Sequence, residues 1–96
     1  MSTMSTAVVP TEHARRYLQQ LCKHWSHKFE TDFDETKGRI GFPSGDIDLA
    51  VIEGGLSVTV RSQLADGLTR AKQVVAEHLD RFAFREAPLS FPWLDA

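Results

Sequence analysis

Ile47-Asp48-Leu49-Ala50-Val51-Ile52-Glu53-Gly54-Gly55-Leu56-Ser57-Val58-Thr59-Val60-Arg61 is the stretch that decides the fold. Ile47, Leu49 and Val51 alternate with Asp46, Asp48 and Ala50, and Leu56, Val58 and Val60 alternate with Ser57, Thr59 and Arg61. A period of two sends alternate side chains to opposite faces of a strand. Gly54-Gly55, between the two runs, is a strong tight-turn signal. The stretch therefore predicts an antiparallel hairpin with one apolar and one polar face.

The same period continues upstream. Phe29, Thr31 and Phe33 alternate with Glu30 and Asp32, and Ile40 and Phe42 alternate with Arg39 and Gly41. Pro43-Ser44-Gly45 breaks the chain between the second of these runs and the hairpin. Four short strands joined by short turns read as an antiparallel meander. Glu30, Asp32, Arg39, Asp48, Thr59 and Arg61 form its expected solvent face. Such a sheet needs cover on one side only.

Two helices provide that cover. From Thr11 to about Lys28 the apolar positions Ala14, Tyr17, Leu18, Leu21 and Trp25 recur in steps of three and four. Thr11 stands where an N-cap is expected, and Glu12 suits the positive end of the helix dipole. From about Leu64 to Phe84, the positions Leu68, Ala71, Val75, Leu79 and Phe82 make a second buried stripe. Thr6-Ala7-Val8-Val9, stopped by Pro10, reads as an opening strand. Leu89, Phe91 and Trp93 alternate with Ser90 and Pro92 and read as a closing strand, confined to an edge because Pro92 has no N–H to donate. The expected fold is α+β: strand, helix, four-strand meander, helix, edge strand, with both helices on one face of a single antiparallel sheet. Its expected core is Leu18, Leu21, Trp25, Phe33, Ile40, Leu49, Val51, Val58, Val60, Val75, Leu79 and Phe82. Residues 1–5 are expected to form a disordered tail and residues 6–96 a single domain.

The chain has 96 residues, 42% hydrophobic and 25% charged, with 11 Lys and Arg against 13 Asp and Glu. No Lys or Arg run forms a stripe, which argues against nucleic acid as a partner. The single Cys22 excludes an internal disulfide and any multi-cysteine metal motif, and a lone thiol fits a reducing compartment. The N-terminus lacks the basic and apolar regions of a secretory signal. No apolar run approaches the roughly 20 residues of a membrane span. A cytoplasmic protein without a membrane partner is expected.

Chemistry-bearing side chains gather in Leu21-Cys22-Lys23-His24-Trp25-Ser26-His27-Lys28-Phe29. On a helix, at about 100° per residue, Cys22 projects roughly 160° from His24 and roughly 140° from His27. The three cannot meet on one ion, whereas His24 and His27, at i and i+3, share a face. His13 lies about 16 Å away along the same axis. His78, at the edge of the second stripe, is the imidazole able to approach from another element. His24, His27 and His78 are therefore the candidate ligand-binding or metal-binding residues, and a cleft holding all three would suit a first-row transition metal. The plainer reading is that His24 and His27 cover the sheet rim and that a backbone carbonyl satisfies His78. Cys22 lacks a convergent base and reads as a half-buried filler. Asp32, Asp34 and Glu35 form an acidic turn without the spacing of a calcium loop. None of the glycine clusters forms a phosphate loop. No cofactor is expected.

Tyr17 to Lys28, Gly38-Arg39-Ile40 with Phe42-Pro43, and His78-Leu79-Asp80-Arg81-Phe82-Ala83-Phe84-Arg85-Glu86 together resemble signature blocks of the bacterial family catalogued as domain of unknown function 2218. The second helix of that family usually opens Asp-Ala-Glu-Ala-Leu, where this chain reads Leu64-Ala65-Asp66-Gly67-Leu68. The resemblance supplies no catalytic residues. It implies an association with proteins that resemble siderophore-interacting flavin reductases, and so a link to iron metabolism. The leading expectation is a non-catalytic accessory or binding domain. Its rivals are a metal-binding or small hydrolytic enzyme using the histidines, and a dimerisation module using Leu89, Phe91 and Trp93.

Overall fold

The structure, a computed structural model, describes residues 4–42, 45–63, 65–83, 85–86 and 89–95. Its elements run β1 (Met4–Pro10), α1 (Ala14–Trp25), β2 (Glu30–Phe33), β3 (Lys37–Phe42), β4 (Gly45–Ile52), β5 (Gly55–Arg61), α2 (Ala65–Phe82) and β6 (Leu94–Asp95). All six strands join one antiparallel sheet in the order β2-β3-β4-β5-β1-β6. The α+β architecture with four consecutive meander strands is the one the alternation predicts.

Register follows from the apolar face. Ile40 stands opposite Ile47, Ile47 opposite Val60, and Leu49 opposite Val58, all buried. A slip of one residue would turn the whole set toward water, so burial specifies the pairing. Leu18 and Leu21 of α1 and Leu68, Ala71, Val75 and Leu79 of α2 close over that face. Phe33, Val51 and Phe82, expected in the core, are partly buried at its margin. On the opposite face Arg39 lies 3.3 Å from Asp46 and 3.8 Å from Asp48, and Arg61 also pairs with Asp48. Exposed pairs of this kind add little stability.

Four expectations need correction. First, Met4 and Ser5 belong to β1 rather than to a tail: they pair with Arg61 and Val60, and Ser5 is buried. Second, the closing strand is Leu94–Asp95 against Ser5 and Thr6, not residues 89–93. Leu89, Phe91 and Trp93 instead fold back on their own chain as partly buried neighbours of the core. The Leu89 amide donates to Asp80 Oδ1 at 2.8 Å, and Lys72 Nζ sits 5.6 Å from the centre of the Trp93 ring. Third, α1 begins at Ala14, with His13 at the cap position and no side-chain cap bond. Thr11 accepts the His13 amide at 3.0 Å, while its hydroxyl donates to the Glu86 carboxylate. The Tyr17 hydroxyl donates to the same carboxylate and holds Glu86 below the usual carboxylate range.

Fourth, Cys22 is fully buried, not half-buried. Gly38 of β3 makes this possible, because a Cβ there would stand 2.6 Å from Cys22 Sγ. Burial pushes the thiol up to about 11 from an ordinary value of 9.0. A folded pKa above the unfolded one means that the contribution to stability is complete below about pH 9 and is lost as pH rises toward about 11. Alkylation of Cys22 at neutral pH is therefore expected to proceed at the rate of unfolding. A reagent that labels the native protein as fast as a free thiol would contradict this burial. The expected turn at Pro43-Ser44 and the outermost residues of the second helix, Leu64 and Phe84, lie outside the described residues.

Candidate functional site

The site is assembled where α1 ends. Ser26 N donates to the Cys22 carbonyl at 2.9 Å and Ser26 Oγ to that of Lys23 at 2.8 Å. The amides of Lys28 and Phe29 both donate to the Trp25 carbonyl, at 3.0 and 2.9 Å. These bonds satisfy carbonyls that a helix C-terminus leaves open, and they shape the turn that presents His27, Lys28 and Phe29. Across from this turn, Arg70, Val74 and His78 recur every four residues on α2, so they share one face. Phe42, at the end of β3, supplies the floor between the helices.

Ring contacts run without a break through the site. Phe29 meets Phe42 with centroids 4.4 Å apart, Phe42 meets Trp25 at 4.6 Å, and Trp25 meets His78 at 4.8 Å. His78 then meets His24 at 5.4 Å, and His24 meets Phe82 at 5.7 Å. Their tilted and edge-to-face arrangements are those the aromatic quadrupole favours. Above them opens a cleft of about 740 Å³, lined by His24, Trp25, His27, Lys28, Phe29, Phe42, Arg70, Ala71, Val74 and His78. That volume lies within the range of small-molecule sites. Five of the ten lining residues are Lys, Arg or His, and none is Asp or Glu.

The three histidines singled out in the sequence all line this one cleft. His24 and His78 come into ring contact. Nδ1 of His78 lies 2.8 Å from the Val74 carbonyl and donates to it, so the neutral ring carries its lone pair on Nε2. The three candidate histidines have no ion-holding cluster behind them: among the described residues no three His, Cys, Asp or Glu stand close enough together to hold an ion. His24 and His78 come from different helices, and His27 lies in the turn beyond α1, so sharing a cleft does not aim three ring nitrogens at one point. Two imidazoles fall short of the three or four ligands of a zinc site. Cys22 faces the opposite wall of α1, under Gly38 and away from the cleft. The acidic turn is structural. Asp34 Oδ1 accepts the amides of Thr36 and Lys37, each at 2.8 Å, which holds its carboxyl below the usual range.

Lys28, Phe29, Phe42, Val74 and Arg70 were not among the candidates. The four-residue spacing of Arg70, Val74 and His78 was a readable signal of a shared face. That this face meets the end of α1 was not readable, because it depends on how the two helices lie on the sheet.

A bacterial family described as "Uncharacterized protein conserved in bacteria" (DUF2218) matches residues 6–94. The chain belongs to this family. Within the solved structures, the NMR structure of PA4090 from Pseudomonas aeruginosa is similar at 36% sequence identity and a TM-score of 0.78. The similarity covers 98% of this chain and 96% of that one. No curated protein matches. The two chains thus share this fold. No helix among the described residues is long and apolar enough to cross a membrane.

Proposed function

We propose that this family member is a non-catalytic binding module that takes up a small organic molecule in the cleft between the end of α1 and the middle of α2. The carrying observation is the continuous run of ring contacts from Phe29 through Phe42, Trp25 and His78 to His24, all lining an opening of about 740 Å³. An apolar floor with a few polar groups at its rim is the usual composition of a ligand site. The absence of catalysis is supported by the site's chemistry. Cys22 is walled in as a neutral thiol, and among the described residues no carboxylate lines the cleft to orient either His24 or His78 as a base. The link to iron and siderophores, with a flavin-reductase-like partner, belongs to the same reading. Its support is the association implied by the family resemblance, and it makes iron chelators one class of ligand to test.

The test is an NMR titration of the labelled protein with a panel of aromatic, aliphatic and iron-chelating small molecules. Binders are expected to shift Trp25, Phe29, Phe42, Val74 and His78 together and to be recovered unchanged. Shifts confined to the outer sheet face, or conversion of a bound molecule to product, would overturn the reading.

A further inference from the structure

We infer that the cleft selects a planar aromatic anion, such as an aromatic carboxylate, with its ring on the Trp25–Phe42 floor and its charge at the rim beside Lys28 and Arg70. The inference rests on the cleft being a ligand site, and it goes further by assigning the ligand's charge and shape. The charge argument begins from pairing. On the outer sheet face Arg39 and Arg61 lie beside Asp46 and Asp48, whereas among the described residues neither Lys28 nor Arg70 has a carboxylate partner. The chain carries 13 Asp and Glu, yet among the described residues none lines this cleft. Two cations, Lys28 and Arg70, beside a partly desolvated space favour a negative guest and repel a positive one.

The shape argument comes from the floor. Trp25, Phe29 and Phe42 line the cleft together, with centroids 4.4 and 4.6 Å apart, so a guest that enters it meets aromatic carbon. Another flat ring extends such a series, with about 0.5–1.5 kcal/mol per aromatic pair beyond simple area burial. An aromatic box can also attract a cation through the ring faces. Here the rim charges oppose that outcome, so the sign of the preferred guest is a discriminating measurement.

The experiment compares naphthoate, its neutral analogue naphthamide, the cationic aminomethylnaphthalene and the saturated cyclohexane carboxylate by NMR titration at low salt. Naphthoate is expected to shift the cleft residues and to bind at least about tenfold more tightly than naphthamide, a difference of about 1.4 kcal/mol. A Lys28→Gln, Arg70→Gln double variant, altering two exposed side chains, is expected to erase that preference while still binding naphthamide. Equal affinity for naphthoate and naphthamide in the cleft, or tighter binding of the amine, would overturn the anion assignment and leave the ligand site standing. Cyclohexane carboxylate binding as well as naphthoate would overturn the aromatic assignment. Probes that leave the cleft unshifted would remove both this inference and the ligand site beneath it. Cleft shifts produced by raising protein concentration alone would assign the cleft to a second copy of the chain and equally overturn the inference.

Discussion

Leu79→Ala is expected to destabilise the protein by about 2–5 kcal/mol, the range for emptying a fully buried leucine site. Leu79 is completely buried and continues the α2 stripe of Leu68, Ala71 and Val75 toward the helix C-terminus. Its removal leaves a void beneath the helix that carries Arg70, Val74 and His78, so ligand uptake in the cleft should weaken as well. Urea denaturation is the direct measurement, with a lowered midpoint and an unchanged slope as the expected signature. A loss below about 1 kcal/mol would mean that the site collapses freely and that α2 does not lock the sheet.

Gly55→Ala is expected to match the upper end of the roughly 1–3 kcal/mol cost of overpacking, or to exceed it. A Cβ at Gly55 would stand 2.5 Å from the carbonyl oxygen of Val9 and 3.2 Å from its carbon, and backbone atoms cannot swing aside. Relief requires β1 to move away from β5, along a ladder that runs from Met4 opposite Arg61 to Pro10 opposite Gly55. Gly54→Ala is the informative control. Its φ is 79°, and an added Cβ there meets nothing within 4 Å. Only the left-handed backbone penalty applies, about 1–2 kcal/mol for a residue with a Cβ. Thermal melts of the two variants should therefore separate, with Gly55→Ala the lower. The reverse order would mean that turn conformation, not strand contact, limits stability at this hairpin.

Tyr17, Thr11 and Glu86 offer a smaller, pH-dependent effect. The carboxylate of Glu86 is held below its usual range chiefly by the Tyr17 hydroxyl, so its contribution is present above its unfolded pKa and is lost as pH falls through the folded value. The Tyr17 phenol is raised, first by burial and then by Glu86, so its own contribution is present below its ordinary value near 10 and is lost as pH climbs through the folded value. Tyr17→Phe should accordingly lower the melting temperature at neutral pH and matter less in acid below the Glu86 transition. An equal loss at both would mean that the ring, not the hydroxyl, is what the site uses.

By itself the sequence determined the element types and their faces. Ile47, Leu49, Val58 and Val60 alternate, and Leu18, Leu21, Val75 and Leu79 recur at helical spacing, because a strand and a helix each impose a fixed period on any apolar face. It also determined that His24 and Cys22 diverge, since two residues on a helix differ by a set angle. Element ends were less legible. Thr11 looked like an N-cap, but its hydroxyl is held by Glu86, 75 residues away. Residues 89–93 looked like a strand, but the aromatic side chains pack back on the core and the pairing passes to Leu94–Asp95. Thr11 keeps a local bond by accepting the His13 amide, yet α1 starts only at Ala14, and at the other end packing on the core moves the pairing past residue 93. Only the tertiary structure decided that Arg70 and His78 stand opposite Trp25 and Lys28, with Phe42 beneath them. No local rule links those positions, because their meeting depends on where two helices settle on a twisted sheet, and that placement is set by the packing of the whole apolar face.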